Sequence, residues 1–308
     1  MAIASFYRES IVLRRIHGAK VVLCALPGDP PFLKYSWFEN RNYILDLESV
    51  LKSCGRLDYL LIHIPAYAVD RMLDWLISAS PTLLRNIREL HLNILLMNIA
   101  NIKGKNVSGL ERFGKVTCIT AHEAYTNGTM REAIGVPLHR LSTCVGPENY
   151  SLWGYRKKES LLIVSPDSRP QKEKVLRRIA QACPDLTIKI IENLSYGDYT
   201  KLACRAKWSL TFGEGLDGYF IEPVFSGSVA FAVFDDRYFT PAFSNLETVY
   251  PSWDVLMERL AEDIKRLDEP VAYDRCWRQA YDLLRSLYST EQFRENLRLF
   301  YRGEYTFP

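Results

Sequence analysis

No apolar run in the 308 residues approaches the roughly 20 that cross a bilayer; the longest, YLLIHIPAYAV and HLNILLMNIA, are about half that length. The seven cysteines (Cys24, Cys54, Cys118, Cys144, Cys183, Cys204 and Cys276) are odd in number and widely spaced, with no Cys-x-x-Cys. That excludes a disulfide framework and predicts reduced thiols in a cytoplasmic protein. Charge of one sign is also missing. A net +3, with 39 basic residues scattered among 36 acidic ones, gives no basic face for nucleic acid. No Gly-x-Gly-x-x-Gly follows an apolar run, so a dinucleotide cofactor is not expected. His, Cys and Asp are nowhere set at metal-ligand spacing, and no metal or other cofactor is expected. The start, MAIASFYRES, is charged by its eighth residue and predicts no signal peptide. What remains is a cytoplasmic chain, at most peripheral at the inner face of a membrane.

With 48% hydrophobic and 24% charged residues, the chain can bury ordinary cores, and its length favours two domains. Short apolar runs alternate with stretches of helical period, the pattern of βα units around a parallel sheet. Strands are predicted at 20–26, 57–64, 91–98, 115–120 and 139–145. Helices fall at 41–54, 66–79 and 124–134, the last stopped by Gly135 with Pro137 beyond. GPENYSLWGYRKKES (146–160) mixes Gly, Pro and charge without period and reads as a linker. The rhythm then restarts, with strands at 160–165, 186–191, 207–212 and 228–234 and helices at 171–183, 196–205 and 218–226. From 252 onward the pattern is helical. The expectation is an α/β protein with domains at 1–150 and 151–289.

One stretch carries chemistry. FGEGLDGYFIE (212–222) follows a predicted strand, so GEGLDG is a βα turn and the next residues open a helix. Open parallel sheets bind ligands beyond the carboxyl ends of their strands. A glycine turn at a helix mouth presents backbone N–H groups and the positive end of the dipole to a phosphate. Acids there repel an anion, so Glu214 and Glu222 suit another task, accepting hydrogen bonds from sugar hydroxyls on either side of a diphosphate. The turn therefore suits a nucleotide-sugar.

Glu214, seven residues, then Glu222, followed by SGS and the apolar VAFAV, resembles the E-x7-E motif of retaining GT-B glycosyltransferases, especially the family 4 group. LSYGDYTKLACRAKWSLTFGE, TAHEAYTNGTMREAIGVPLHRLSTCVGPENY and LLIVSPDSRPQKEK resemble neighbouring stretches, so the likeness covers about 115–235. It implies two Rossmann-like domains facing across a cleft, the first binding an acceptor and the second a nucleotide-sugar. The C-terminal helix, about 290–308, would cross back to the first domain. It implies metal-independent transfer with retention to a glycan or lipid-linked glycan. Glu214 would hold the transferred sugar and Glu222 the ribose. Arg169 and Lys172 would neutralise the diphosphate, while Gly213, Gly215, Leu216, Asp217, Gly218 and Ser165 would line the nucleotide. His63, in LLIHIPAY, resembles the histidine of a family strand beside the cleft; the alternative is a satisfied core histidine. The chain departs from the family where Asp217 replaces a glycine between the acids, and where CALPGDPPF has only Gly28.

The same fold leaves two other functions open, a non-catalytic nucleotide binder and a nucleotide-sugar epimerase or phosphorylase. Among the remaining polar residues, His122 falls just past a strand, and His91, Asn93 and Asn98 lie along an apolar one where they need partners. His17 and His139 are expected at the surface. Asp235 and Asp236 lack the middle residue of an Asp-x-Asp metal motif. The C-terminal aromatics (Trp277, Tyr281, Tyr288, Phe293, Phe300, Tyr301) have helical spacing and are expected to pack a core.

Overall fold

The computed structural model describes residues 19–26, 44–79 and 84–308. Gly28 and His17 lie outside them. The chain divides into two compact units. One holds the described residues up to Cys144 together with Glu291–Pro308, the other Val145–Thr290.

The first unit begins with a two-stranded parallel pair, β1 (Leu23–Ala25) and β2 (Ile44–Asp46). Asp46 then caps helix α1 (Leu47–Cys54), its Oδ1 accepting from Ser49 N at 2.8 Å. The predicted helix 41–54 thus starts later than expected, because Ile44–Asp46 pairs with β1. A parallel sheet of order β3-β4-β5-β6 follows: β3 (Leu60–Pro65), β4 (Leu90–Leu96), β5 (Lys115–Thr120) and β6 (Leu138–Arg140). Helix α2 (Val69–Ser78) joins β3 to β4, and α3 (Gly128–Ile134) joins β5 to β6. Asn127 caps α3, and Gly135, at φ 83°, ends it as the sequence predicts. Strand β6 stops at Arg140 rather than 145. Ser142 takes φ 68°, a left-handed conformation that cannot continue a strand.

Strand β4 is buried along its whole length, and its two faces serve two cores. Leu92, Ile94 and Leu96 pack with Val69, Leu76 and Leu110. Leu95 packs on the other side with Ile119, Phe293, Leu297 and Phe300. The last three come from the chain's final helix. His91 stacks against the same Phe300, with ring centroids 5.9 Å apart. Each such buried aliphatic or aromatic side chain stabilises the unit by about 1.5–3 kcal/mol.

The second unit is a five-stranded parallel sheet. Its strands are β7 (Glu159–Val164), β8 (Thr187–Ile190), β9 (Ala206–Leu210), β10 (Val229–Val233) and β11 (Val249–Tyr250), in the order β11-β10-β9-β7-β8. Helices α4 (Lys172–Ala182), α5 (Tyr196–Arg205) and α6 (Gly218–Phe225) make the crossovers. Helices α7 (Trp253–Leu267) and α8 (Pro270–Leu287) follow, and α9 (Thr290–Arg302) supplies the first unit's aromatics. Chain order in the sheet reverses between β7 and β9, which are neighbours. Such a reversal leaves a crevice at the strands' carboxyl ends, where open α/β sheets bind ligands.

Large aromatics fill this unit's core. Trp208, Phe231, Tyr250 and Tyr273 are all under 2% exposed. The Tyr273 hydroxyl donates to the carbonyls of Lys207 and Gly227, and Trp277 Nε1 donates to Val224 O, so α8 is fastened to β9 and α6. Lys158 is buried as well. Its ammonium donates to the carbonyls of Ala203, Cys204 and Ala206 and to Ser228 Oγ, and burial lowers its pKa to about 7.

Candidate functional site

The two loops that leave β7 and β9 meet at the switch point. Ser165, fully buried just after β7, accepts a hydrogen bond from Phe212 N at 2.8 Å just after β9. Arg169 binds the same turn from the other side, Nε donating to Phe212 O at 2.9 Å and Nη2 to Gly213 O at 3.1 Å. Lys172, at the start of α4, donates to Ser165 O at 2.7 Å and Asp167 O at 2.9 Å. Partial burial lowers its pKa. Both cations predicted from the sequence therefore border the turn at 211–217, their heads tied to its backbone and that of the neighbouring loop.

Within the turn the glycines are required by space. A Cβ on Gly213 would lie 2.7 Å from Asp217 Oδ2 and 2.8 Å from Asp167 Oδ2. Gly215 has φ 86°, and a Cβ there would lie 2.5 Å from the Phe239 ring. Leu216 is 2% exposed, so its side chain anchors the turn in the core. Gly218 opens α6, and its carbonyl accepts from Tyr199 Oη at 2.9 Å. Asp217 caps that helix. Its Oδ1 accepts from Tyr219 N at 2.8 Å and Phe220 N at 3.2 Å, and its Oδ2 accepts from Thr211 Oγ1 at 2.8 Å. The helix mouth that the sequence leaves open to a phosphate thus already has two N–H groups satisfied by a side chain.

Four carboxylates surround this mouth: Asp167, Glu214, Asp217 and Glu222. Burial, opposed by the Thr211 hydrogen bond and reinforced by the charges of Asp167 and Glu214, raises the Asp217 pKa to about 7. Glu214 is half-buried in the turn. Glu222 lies on α6 and is 1% exposed. Burial pushes its pKa up to about 8 against opposing hydrogen bonds from Tyr196, whose hydroxyl donates to Oε2 at 3.0 Å, and from Tyr150. Tyr150 stands 3.3 Å from Tyr196, oxygen to oxygen. Among the described residues the other oxygen, Glu222 Oε1, is buried with no hydrogen-bond partner. A buried carboxylate oxygen without a donor costs on the order of 1–3 kcal/mol, and a ligand hydroxyl would relieve it.

Sequence reasoning passed over Tyr150, Tyr196, Asp167 and Thr211. The signal was available in part: a carboxylate on a helix as apolar as GYFIEPVF needs donors, and Tyr196 opens the preceding helix.

His63 belongs to the first unit. Its Nδ1 accepts from Asn93 Nδ2 at 2.9 Å, its Nε2 lies 3.4 Å from Tyr301 Oη, and its ring packs against Phe300. Burial lowers its pKa to about 3, so it stays neutral among these contacts. His91, Asn93 and Thr117 continue this polar chain. His122 is buried just past β5, its pKa lowered to about 4 by burial, and Asn98 caps a short 3-10 turn. His139, expected at the surface, is 1% exposed. Its Nε2 donates to Asn296 O at 2.7 Å and its Nδ1 accepts from Thr306 N at 3.3 Å, so it fastens the C-terminal segment to β6. Asp235 pairs with Arg237. At the carboxyl ends of β4–β6, Met97, Thr120, Ser142, Thr143 and Phe293 help line a cavity of about 30 Å³, room for a single water.

No protein-family model matches the chain, and no curated protein sequence matches it. Solved structures do. One is an α-glucosyltransferase in complex with UDP and a 13-mer DNA containing an A:G mismatch, with 13% identity, 96% of this chain and 95% of that chain covered, and a TM-score of 0.55. Another is HepE from Anabaena in complex with UDP and glucose, with 13% identity, 83% and 80% covered, and a TM-score of 0.55. A third is sucrose-phosphate synthase from Thermosynechococcus elongatus, with 11% identity, 96% and 93% covered, and a TM-score of 0.54. At such identities the likeness is one of fold. The chain has the GT-B glycosyltransferase fold, two Rossmann-like α/β units.

Proposed function

We propose that this chain is a glycosyltransferase that takes a sugar from a UDP-sugar and transfers it, with retention and without a metal, to a glycan or lipid-linked glycan. The observation that carries this reading is Glu222: a buried carboxylate on the helix that follows the switch-point turn, one oxygen held by Tyr196 and the other, among the described residues, without a partner. In a fold of which the α-glucosyltransferase and HepE structures hold UDP, that oxygen suits the ribose hydroxyls. Hydroxyl donors favour the charged carboxylate, so nucleotide binding releases the proton that burial retains.

Glu214, in the turn, accepts hydrogen bonds from the transferred sugar. Arg169 and Lys172 stabilise the charge that grows on the diphosphate as the glycosidic bond breaks. Arg169 is suited to this because two of its five N–H donors hold the turn while the others can face a phosphate. Among the described residues no helix is long and apolar enough to cross a membrane. Catalysis at the cytoplasmic face, with a soluble or membrane-borne acceptor, fits that observation.

A second reading, nucleotide binding without transfer, is favoured by Asp217, which fills part of the helix mouth with a carboxylate. One experiment separates the two. UDP release from UDP-glucose, UDP-galactose and their N-acetyl analogues is followed for the wild type and Glu214→Ala. The transferase reading requires release that falls about 100-fold in the variant while UDP binding persists. Binding without release, or release indifferent to Glu214, leaves the binder. A calorimetric panel of UDP, GDP, ADP, CMP and dTDP tests the base.

A further inference from the structure

The first unit carries a second polar recess, at the amino ends of its strands. A cavity of about 230 Å³ lies where β3, β4 and β5 begin, walled by the end of α9 and the residues after it. That volume holds about eight waters at roughly 30 Å³ each, so its occupant is the size of a single sugar or small acid. The lining is polar and cationic: Lys115 opens β5 and Arg302 ends α9, and Glu89 is the single carboxylate beside them in the lining. Lys115 Nζ lies 4.8 Å from the centre of the Tyr305 ring.

The floor of the recess is built. His91, 3% exposed, has Nε2 2.7 Å from Thr117 Oγ1 and Nδ1 2.7 Å from Tyr59 Oη. Thr117 spends its hydroxyl proton on Asn93 Oδ1, at 2.9 Å. It therefore accepts from His91, which must carry its proton on Nε2. Nδ1 is then an acceptor and Tyr59 the donor. Tyr59 consequently turns oxygen lone pairs toward the recess and can accept from a ligand hydroxyl. The recess thus combines two cations, which suit an anion, with an oriented phenol oxygen, which suits a hydroxyl.

We infer that this recess binds a small polyhydroxylated anion, a sugar phosphate or sugar acid, through Lys115 and Arg302 at its charged end and Tyr59 at its hydroxyl end. The inference does not depend on the glycosyl-transfer reading. Its residues belong to the first unit, and all of Glu214, Glu222, Arg169 and Lys172 belong to the second.

The test is calorimetry on the full chain with glucose 6-phosphate, gluconate, inorganic phosphate and glucose. Glucose 6-phosphate or gluconate should bind, with inorganic phosphate and glucose each at least about ten-fold weaker. Which anion binds more tightly identifies the occupant as a phosphate or a carboxylate. The double variant Lys115→Ala/Arg302→Ala, both exposed and so free to change without loss of the fold, should weaken binding about ten-fold or more and leave UDP binding untouched. No binding of either sugar anion up to about 10 mM would overturn the inference, as would binding that the double variant leaves unchanged. Inorganic phosphate binding as tightly as glucose 6-phosphate would overturn it too.

Discussion

Apart from Lys158, the two units bury ionisable groups of opposite kind. The first holds imidazoles, His63, His91, His122 and His139, all with lowered pKa values because burial disfavours the cation. The second holds carboxylic acids, Asp217 and Glu222, with raised pKa values because burial disfavours the anion. The physics is the same, but His91 and His139 are satisfied differently from Glu222. His91 and His139 have both ring nitrogens in hydrogen bonds within their own unit, and His63 sits in the same chain. Among the described residues Glu222 keeps one oxygen without a donor. A buried polar group that its own fold leaves incomplete calls for an explanation, and at Glu222 a ligand hydroxyl would supply it.

The largest way to sharpen that contrast is at Arg169. Replacing it by Ala should lower the rate of UDP release from a UDP-sugar by about 10²–10³-fold, measured at saturating donor. The effect should lie in kcat more than in nucleotide affinity, because the diphosphate charge it offsets grows in the transition state.

Phe300 offers the matching change in the first unit. It packs against His63, His91 and His139 and is 1% exposed. Phe300→Ala should destabilise by about 3–5 kcal/mol in denaturant titration. Calorimetric UDP affinity at a temperature where the variant remains folded should stay within about two-fold of the wild type. A large loss of affinity without unfolding would break the separation drawn here.

Acidity pulls the units in opposite directions. Asp217 and Glu222 retain protons in the fold that they release when unfolded, from about pH 4 up to about 7 and 8. The folded state binds more protons in that window, so their contribution to stability falls as pH rises through it. The imidazoles behave in reverse. Unfolded, they take up protons below about 6.5, whereas His63 resists to about 3 and His91 and His122 to about 4, so the first unit loses stability as pH falls. Lys158, lowered to about 7, opposes the carboxylates only above that pH. Thermal unfolding from pH 5 to 7 should move oppositely for the two units, and Glu222→Gln should flatten the second unit's slope. Parallel slopes, unaltered by that variant, would contradict the assignment.

Much of this architecture could be read from the chain. Strand β5 falls on Lys115–Thr120 as expected, because KVTCIT is apolar and β-branched between turn signals. Helix α3 stops where Gly135 says it must. The glycine turn between Thr211 and Gly218 follows its strand as predicted, since glycines written so densely mark a backbone that no side chain fits. Other features depend on contacts between distant residues. Strands β2 and β11 are three and two residues long and exist through pairing with β1 and β10. His139 is buried because Asn296 and Thr306, more than 150 residues away, come to meet it. Tyr196 meets Glu222 across 26 residues, and no local period announces that pairing.

The most direct test of the central claim, that Glu222 receives the hydroxyls of a uridine nucleotide, is UDP titration by calorimetry at about pH 7 and 9, with wild type, Glu222→Gln and His63→Gln. Wild-type affinity should strengthen as pH rises past Glu222's raised pKa, Glu222→Gln should weaken binding about 10- to 100-fold and lose the pH dependence, and His63→Gln should bind like the wild type. UDP binding that ignores Glu222, or that follows His63 instead, would contradict the account.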